Sequence, residues 1–220
     1  MTRSGILLAL LVTLGPLNIY PSAHALASRS FGFNVIRNGR AEAAAGATGN
    51  STAPVPDFTT TSHFTTSKYD GGSGDLSPTS PGPSDRGANY FYGGPNNVSS
   101  SATQVDDVSA GASAIDAGTV SYTLSAYLGG LTNQRDNATL TVRFEDGAGH
   151  SLGRAKIGPV LVSDRGGVSK LLFRQTTGHV PVGTRRVRVV LQMTRLDGSD
   201  NDGLADDLSL VLSPHRANLR

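Results

Sequence analysis

Apolar and polar residues alternate in seven consecutive segments of the second half of the chain. In residues 119–128, Val120, Tyr122, Leu124 and Ala126 share one parity, and in residues 138–145 Leu140, Val142 and Phe144 do the same. Residues 101–108, 152–162, 168–175, 185–194 and 204–212 read in the same way. Successive side chains of a strand point to opposite faces, so a period of two predicts strands with one face buried. Turn-forming runs separate the segments: Asp116-Ala117-Gly118, Asp146-Gly147, Gly166-Gly167 and Pro181-Val182-Gly183. Helical patterns do not alternate with these strands, which predicts antiparallel pairing. Seven or more such strands must stack as two sheets or close into a barrel.

The first half is less regular. Residues 31–37 predict an opening strand, closed by the turn dipeptide Asn38-Gly39. The Ala-rich run 41–49 contains Gly46 and Gly49, which oppose a long helix. Residues 52–94 carry Pro54, Pro56, Pro78, Pro81 and Pro83. Forty residues of loop are unusual inside a compact domain, so short strands are expected at 62–69, with Phe64 in the core, and at 89–92. Residues 71–86 read either as a low-complexity linker or as an ordered loop. No internal repeat interrupts this organisation.

A chain of 220 residues has room for one sizeable core. Residues 1–25 have the three parts of a secretory signal: Arg3, the apolar run 6–14, and the small-x-small site Ala23-His24-Ala25. The run is short for a membrane span and meets Gly15-Pro16. The expected organisation is a signal at 1–25, a short lead at 26–30, one β-sandwich domain at 31–213 and a tail at 214–220, exported to a secreted or extracytoplasmic location. No second apolar stretch predicts a membrane span in the mature chain. The chain has no cysteine, which excludes disulfides and thiolate metal sites. Its formal net charge is only +2, and no Lys/Arg stripe interleaves with aromatics along the sequence, so nucleic acid is not an expected partner.

Five short stretches, in this order, resemble the galactose-binding-like jelly-roll domains common among bacterial carbohydrate-binding modules. They are Asn38-Gly39-Arg40-Ala41-Glu42, Pro56-Asp57-Phe58, residues 117–124 (AGTVSYTL), residues 180–184 (VPVGT) before the strand VRVVL, and residues 205–210 (ADDLSL). The resemblance spans residues 31–213. It implies an all-β antiparallel jelly-roll β-sandwich with a structural calcium ion tying the first strand to the last. The implied ligands are Glu42, an oxygen of Asn38, and one of Asp206 and Asp207. Parity with Leu208, Leu210 and Leu212 puts Asp206 on the core side, where an unpaired carboxylate is costly, and Asp207 on the exposed face. Alternatively, Asp206 caps a turn or pairs with an arginine such as Arg37.

Other motifs compete. Asp200-x-Asp202-Gly203 matches part of a calcium loop, but Gly198 stands at the first ligand position and Ser209 where a bidentate glutamate belongs, which leaves a solvated acidic turn as the alternative. Residues 149–153 (GHSLG) spell the nucleophile-elbow pattern around Ser151, yet a strand, not a helix, follows, so a hairpin turn is expected and no catalytic residue is assigned. His63, His150, His179 and His215 are scattered. Tyr90 and Tyr92 share one strand face, opposite Phe91, and could stack on a sugar ring if Phe91 is core. Asn50, Asn97 and Asn137 open formal glycosylation sequons. The expected function is non-catalytic binding of carbohydrate or cell-surface polymer. The alternative is a structural or adhesive envelope protein that binds another protein, and a hydrolase is a distant third.

Overall fold

The computed structural model describes residues 31–69 and 76–215. The expected signal segment and tail lie outside these residues, apart from Pro214 and His215. Ten strands form: β1 (Thr59–Thr60), β2 (Thr65–Lys68), β3 (Asn89–Gly94), β4 (Ser99–Asp107), β5 (Val120–Gly130), β6 (Asn137–Glu145), β7 (Ser151–Ile157), β8 (Lys170–His179), β9 (Arg186–Thr194) and β10 (Asn201–Pro214). They make two five-stranded sheets, ordered β2-β3-β10-β5-β8 and β1-β4-β9-β6-β7. Every strand pairing is antiparallel. Of the two outcomes that the alternating pattern leaves open, the chain takes the stacked pair of sheets, the jelly-roll β-sandwich that the resemblance implies.

The core between the sheets is built from the predicted inward parity. Val120, Leu124, Ala126 and Leu128 of β5 face Ala138, Leu140, Val142 and Phe144 of β6 and Val187, Val189 and Leu191 of β9, all essentially buried. Such apolar burial, at roughly 25 cal/mol per Å², is the main stabilising contribution to the fold. Phe91 and Phe64 join this core, the first as one of its largest fully buried side chains.

Three local departures have physical causes. Residues 31–37 do not form a strand beyond the single bridge Asn34–Val211, although Gly32 and Val35 donate to the carbonyls of Leu212 and Leu210. The Asn34 side chain takes the next ladder positions itself, accepting from Leu210 N–H and donating to Leu208 O. Two short helices also form, α1 (Ala112–Asp116) and α2 (Val162–Arg165), where no helical pattern is legible. Finally, residues 76–88 are packed, not linker-like: Leu76 is buried and Pro81 O accepts from Leu171 N–H. They cover the outer face of the β2-β3-β10-β5-β8 sheet, where Leu76, Tyr69, Tyr90, Tyr92, Leu171 and Leu204 form a second apolar cluster. Among the described residues no helix is long and apolar enough to cross a membrane.

Candidate functional site

Asp206 is fully buried, but not on the core side. The register of β10 shifts between Asp206 and Ser209, and Asp207 sits at φ 49°, a left-handed conformation at a bulge. Ala205 and Leu208 therefore both reach the inter-sheet core, whereas Leu204 belongs to the outer cluster. Asp206 shares the face of Leu204, beside Tyr69, because the extra residue breaks the parity on which the sequence assignment rests. Its Oδ2 accepts from Tyr69 O–H at 2.7 Å and its Oδ1 from Asp207 N–H at 2.7 Å. Desolvation pushes the Asp206 carboxyl up to about 7; Tyr69 opposes this with its hydrogen bond, and the nearby charges of Asp207 and Glu42 add to it. The same burial holds Tyr69 protonated far above the usual phenol range. Asp207 is half-buried and pairs with Arg40 at 3.1 Å. Its carboxyl is also raised, chiefly by desolvation.

Glu42 lies in the same neighbourhood, on the segment before β1. It accepts from the Asn89 backbone N–H at 2.8 Å and from the Asn89 amide at 3.4 Å. That amide nitrogen also donates to the carbonyls of Ala41 and Ala44 at 3.1 and 3.2 Å. Three oxygens thus converge on Asn89 Nδ2 instead of on open space. Asn38 is a turn residue: Oδ1 accepts from Ala43 N–H and Nδ2 donates to Pro56 O. Calcium would be a chemically suitable guest for carboxylate and carbonyl oxygens. As arranged, however, these residues do not fit it: the oxygens of Glu42 and Asp206 are engaged by protein donors, and among the described residues no three acidic, histidine or cysteine side chains converge on one point.

The acidic turn before β10 splits in the same way. Asp200 accepts from Asn96 N–H at 3.0 Å. Asp202 is buried near Tyr92 O–H, and desolvation together with Asp136 and Asp200 raises its carboxyl to about 6. The turn is organised by Asp136, a residue with no distinguishing sequence signal. Its carboxylate accepts from the backbone N–H groups of Leu196, Asp197 and Asp202 at 2.6, 2.8 and 2.9 Å. Below it the buried Arg165 guanidinium donates to the carbonyls of Gly130, Thr132, Gln134 and Val168. Both are structural staples.

Tyr90 and Tyr92 do lie on the face opposite Phe91, yet they are only 0% and 2% exposed beneath the covering segment, so neither ring is open to a ligand as it stands. Ser151 opens β7 after a hairpin turn that Asp146 closes by accepting from Ala148 and His150 N–H. Arg37 pairs with Asp57 and Asp106, not with Asp206.

A larger concavity lies on the other sheet, beside β1. It is a groove of about 600 Å³ whose walls include Arg37, Asp57, Phe58, Thr61, Thr103 and Arg188. Gln104 anchors its floor, accepting from Arg37 N–H at 3.0 Å and donating to Arg37 O at 3.1 Å. Phe58 is held by an edge contact with Phe91 at 5.7 Å between ring centroids. The groove is lined by part of an aromatic ring, a guanidinium, a carboxylate and hydroxyls, the complement of a small polyhydroxylated ligand.

No family model and no curated protein matches the chain. Among solved structures, the cyclase Fisc from Fischerella sp. TAU, solved with an indole compound bound, superposes with TM-score 0.54 at 13% identity over 84% of this chain and 98% of its own. The enzymatically active domain of tailspike protein 4 from bacteriophage CBA120 gives TM-score 0.50 at 17% identity over 82% of this chain, which spans 22% of that domain. The CBM22-1 xylan-binding domain of Paenibacillus barcinonensis Xyn10C superposes more loosely, with TM-score 0.41 at 13% identity over 79% of this chain and 100% of its own. With the first two of these the chain shares the antiparallel β-sandwich fold. At these identities the likeness extends to fold alone.

Proposed function

We propose that the protein is an exported, non-catalytic binding module for carbohydrate or a cell-surface polymer, and that the groove beside β1 takes the ligand. The observation that carries this reading is the groove itself, a concavity of about 600 Å³ where a partly exposed aromatic ring stands among hydroxyl and charged side chains. Sites of this size accommodate one or a few sugar rings, with apolar stacking on one side and directional hydrogen bonds on the others. The fastening expected of calcium falls to Tyr69–Asp206 and Glu42–Asn89 hydrogen bonds. Ser151 lies in a hairpin with its neighbour His150 turned to Asp146 at 2.9 Å, an arrangement that supports a turn and not a nucleophile. Export rests on the signal-like residues 1–25.

Affinity electrophoresis of the full chain through gels containing xylan, pullulan, β-glucan or polygalacturonate tests the reading. Retardation by at least one polymer, lost in Phe58→Ala and kept in Phe58→Tyr, is the expected result. Migration unaffected by every polymer would refute it.

A further inference from the structure

Strand register assembles something that no single segment contains. On the outer face of the β1-β4-β9-β6-β7 sheet, Arg188 stands directly opposite Arg143, and Arg143 directly opposite Arg154. Three arginines therefore occupy one row across adjacent strands, each step about 4.8 Å. Lys156, opposite Thr141, flanks the row. The alternate residues Val142, Val189 and Ala155 are buried beneath it, which fixes the outward direction of the cations. Like charges placed directly opposite each other destabilise a sheet, so nothing in the folding of this strand set favours the row. Glu145 relieves Arg188, accepting from its Nε at 2.7 Å. Among the described residues no carboxylate pairs with Arg143, Arg154 or Lys156, and all three are exposed.

We infer that this row is an extension of the binding site that selects an anionic polysaccharide, specifically one bearing repeated uronate carboxylates; the inference rests on the binding reading above. Two features specify the occupant. Arg188 also lines the groove, so a polymer seated beside Phe58 that continues across the sheet meets Arg143 and Arg154 next. The guanidinium fork matches a planar carboxylate, and Arg188 already grips one on this face, whereas Arg143 and Arg154 present the same fork to solvent. Around the row the surface offers hydroxyl and amide groups, Thr103, Thr139, Thr141 and Gln192, suited to sugar hydroxyls, and the exposed Val105 opposite Arg188, suited to an apolar sugar face. Phe58 is the one aromatic side chain lining the groove, short of the series of rings on which successive nucleic-acid bases stack.

The test is titration of the full chain with polygalacturonate and with neutral pullulan and xylan, at 20 and 300 mM NaCl, for the native protein, Arg143→Gln/Arg154→Gln and Phe58→Ala. The native protein is expected to bind polygalacturonate at least tenfold more tightly than either neutral polymer at low salt, with that preference shrinking at high salt. The double arginine variant is expected to lose the preference while melting no lower than the native protein, since it removes like-charge repulsion. Binding to a neutral polymer with no preference for polygalacturonate would overturn this inference and leave the groove reading intact; absence of binding to all three polymers would overturn both. A single-stranded oligonucleotide binding as tightly as polygalacturonate would also overturn it, as would a preference unchanged in the double variant.

Discussion

Replacing Asp206 by Asn should make the protein more stable at alkaline pH. The buried carboxyl titrates near 7 instead of at its ordinary 3.8. The unfolded chain gives up this proton near the ordinary value, so between about pH 4 and 7 the folded state binds more protons than the unfolded one. Stability therefore falls as pH rises through that window and levels off above it. The full difference corresponds to about 4 kcal/mol, at ~1.36 kcal/mol for each tenfold change in proton affinity. Asn escapes it and fits the existing partners: its oxygen accepts from Asp207 N–H, and its amide donates to the Tyr69 oxygen, which then acts as acceptor. Weaker neutral hydrogen bonds offset part of the gain, leaving about 2 kcal/mol at pH 8 and a difference near zero at pH 4. For a domain of this size that raises the melting temperature by roughly 4–8 °C at pH 8. Thermal unfolding followed by circular dichroism from pH 4 to 8 measures it. An Asn variant that melts lower than the native protein at pH 8 would refute the reasoning and show that the ionised carboxylate is useful there, as a bound cation would make it.

Removal of calcium with a chelator should leave the melting curve unchanged, because protein donors engage Glu42 and Asp206; a fall of several degrees, restored by adding calcium, would reinstate the ion. Asp136→Ala strands three backbone N–H groups in the turn before β10 and should cost about 3–5 kcal/mol in denaturant unfolding, whereas a cost under about 1 kcal/mol would contradict its role as a staple. Arg165→Lys cannot reach four carbonyls with one ammonium group and should cost at least about 2 kcal/mol by the same assay; an unchanged midpoint would show that water replaces the fork. Asp202→Asn should stabilise above pH 6 but not at pH 4, for the same sign reason as Asp206.

The strands from β4 onward were legible because one apolar face per strand imposes a period of two. Parity put Phe91 opposite Tyr90 and Tyr92 without deciding which of the two faces is core; the structure buries both. The same rule misplaced Asp206, since a bulge at Asp207 adds a residue and nothing in Ala-Asp-Asp-Leu marks it. It also could not show that Tyr90 and Tyr92 are covered, because the covering residues come from a proline-rich segment with no periodic pattern. Asp136, set between Arg135 and Asn137, reads as ordinary turn polarity; its three backbone partners come from a segment sixty residues away. The arginine row has a fragment of signal in each strand, an outward Arg143, Arg154 or Arg188 between apolar neighbours. Only the register of three strands brings the fragments together.

The central claim is that the groove beside β1 binds a carbohydrate polymer. Isothermal titration of the native protein and of Phe58→Ala with oligosaccharides cut from the polymer that retards it most is the direct measurement. The account predicts saturable binding that weakens at least tenfold in the variant while the fold melts cooperatively in both. Equal affinity of the two proteins, or binding by neither, would contradict it.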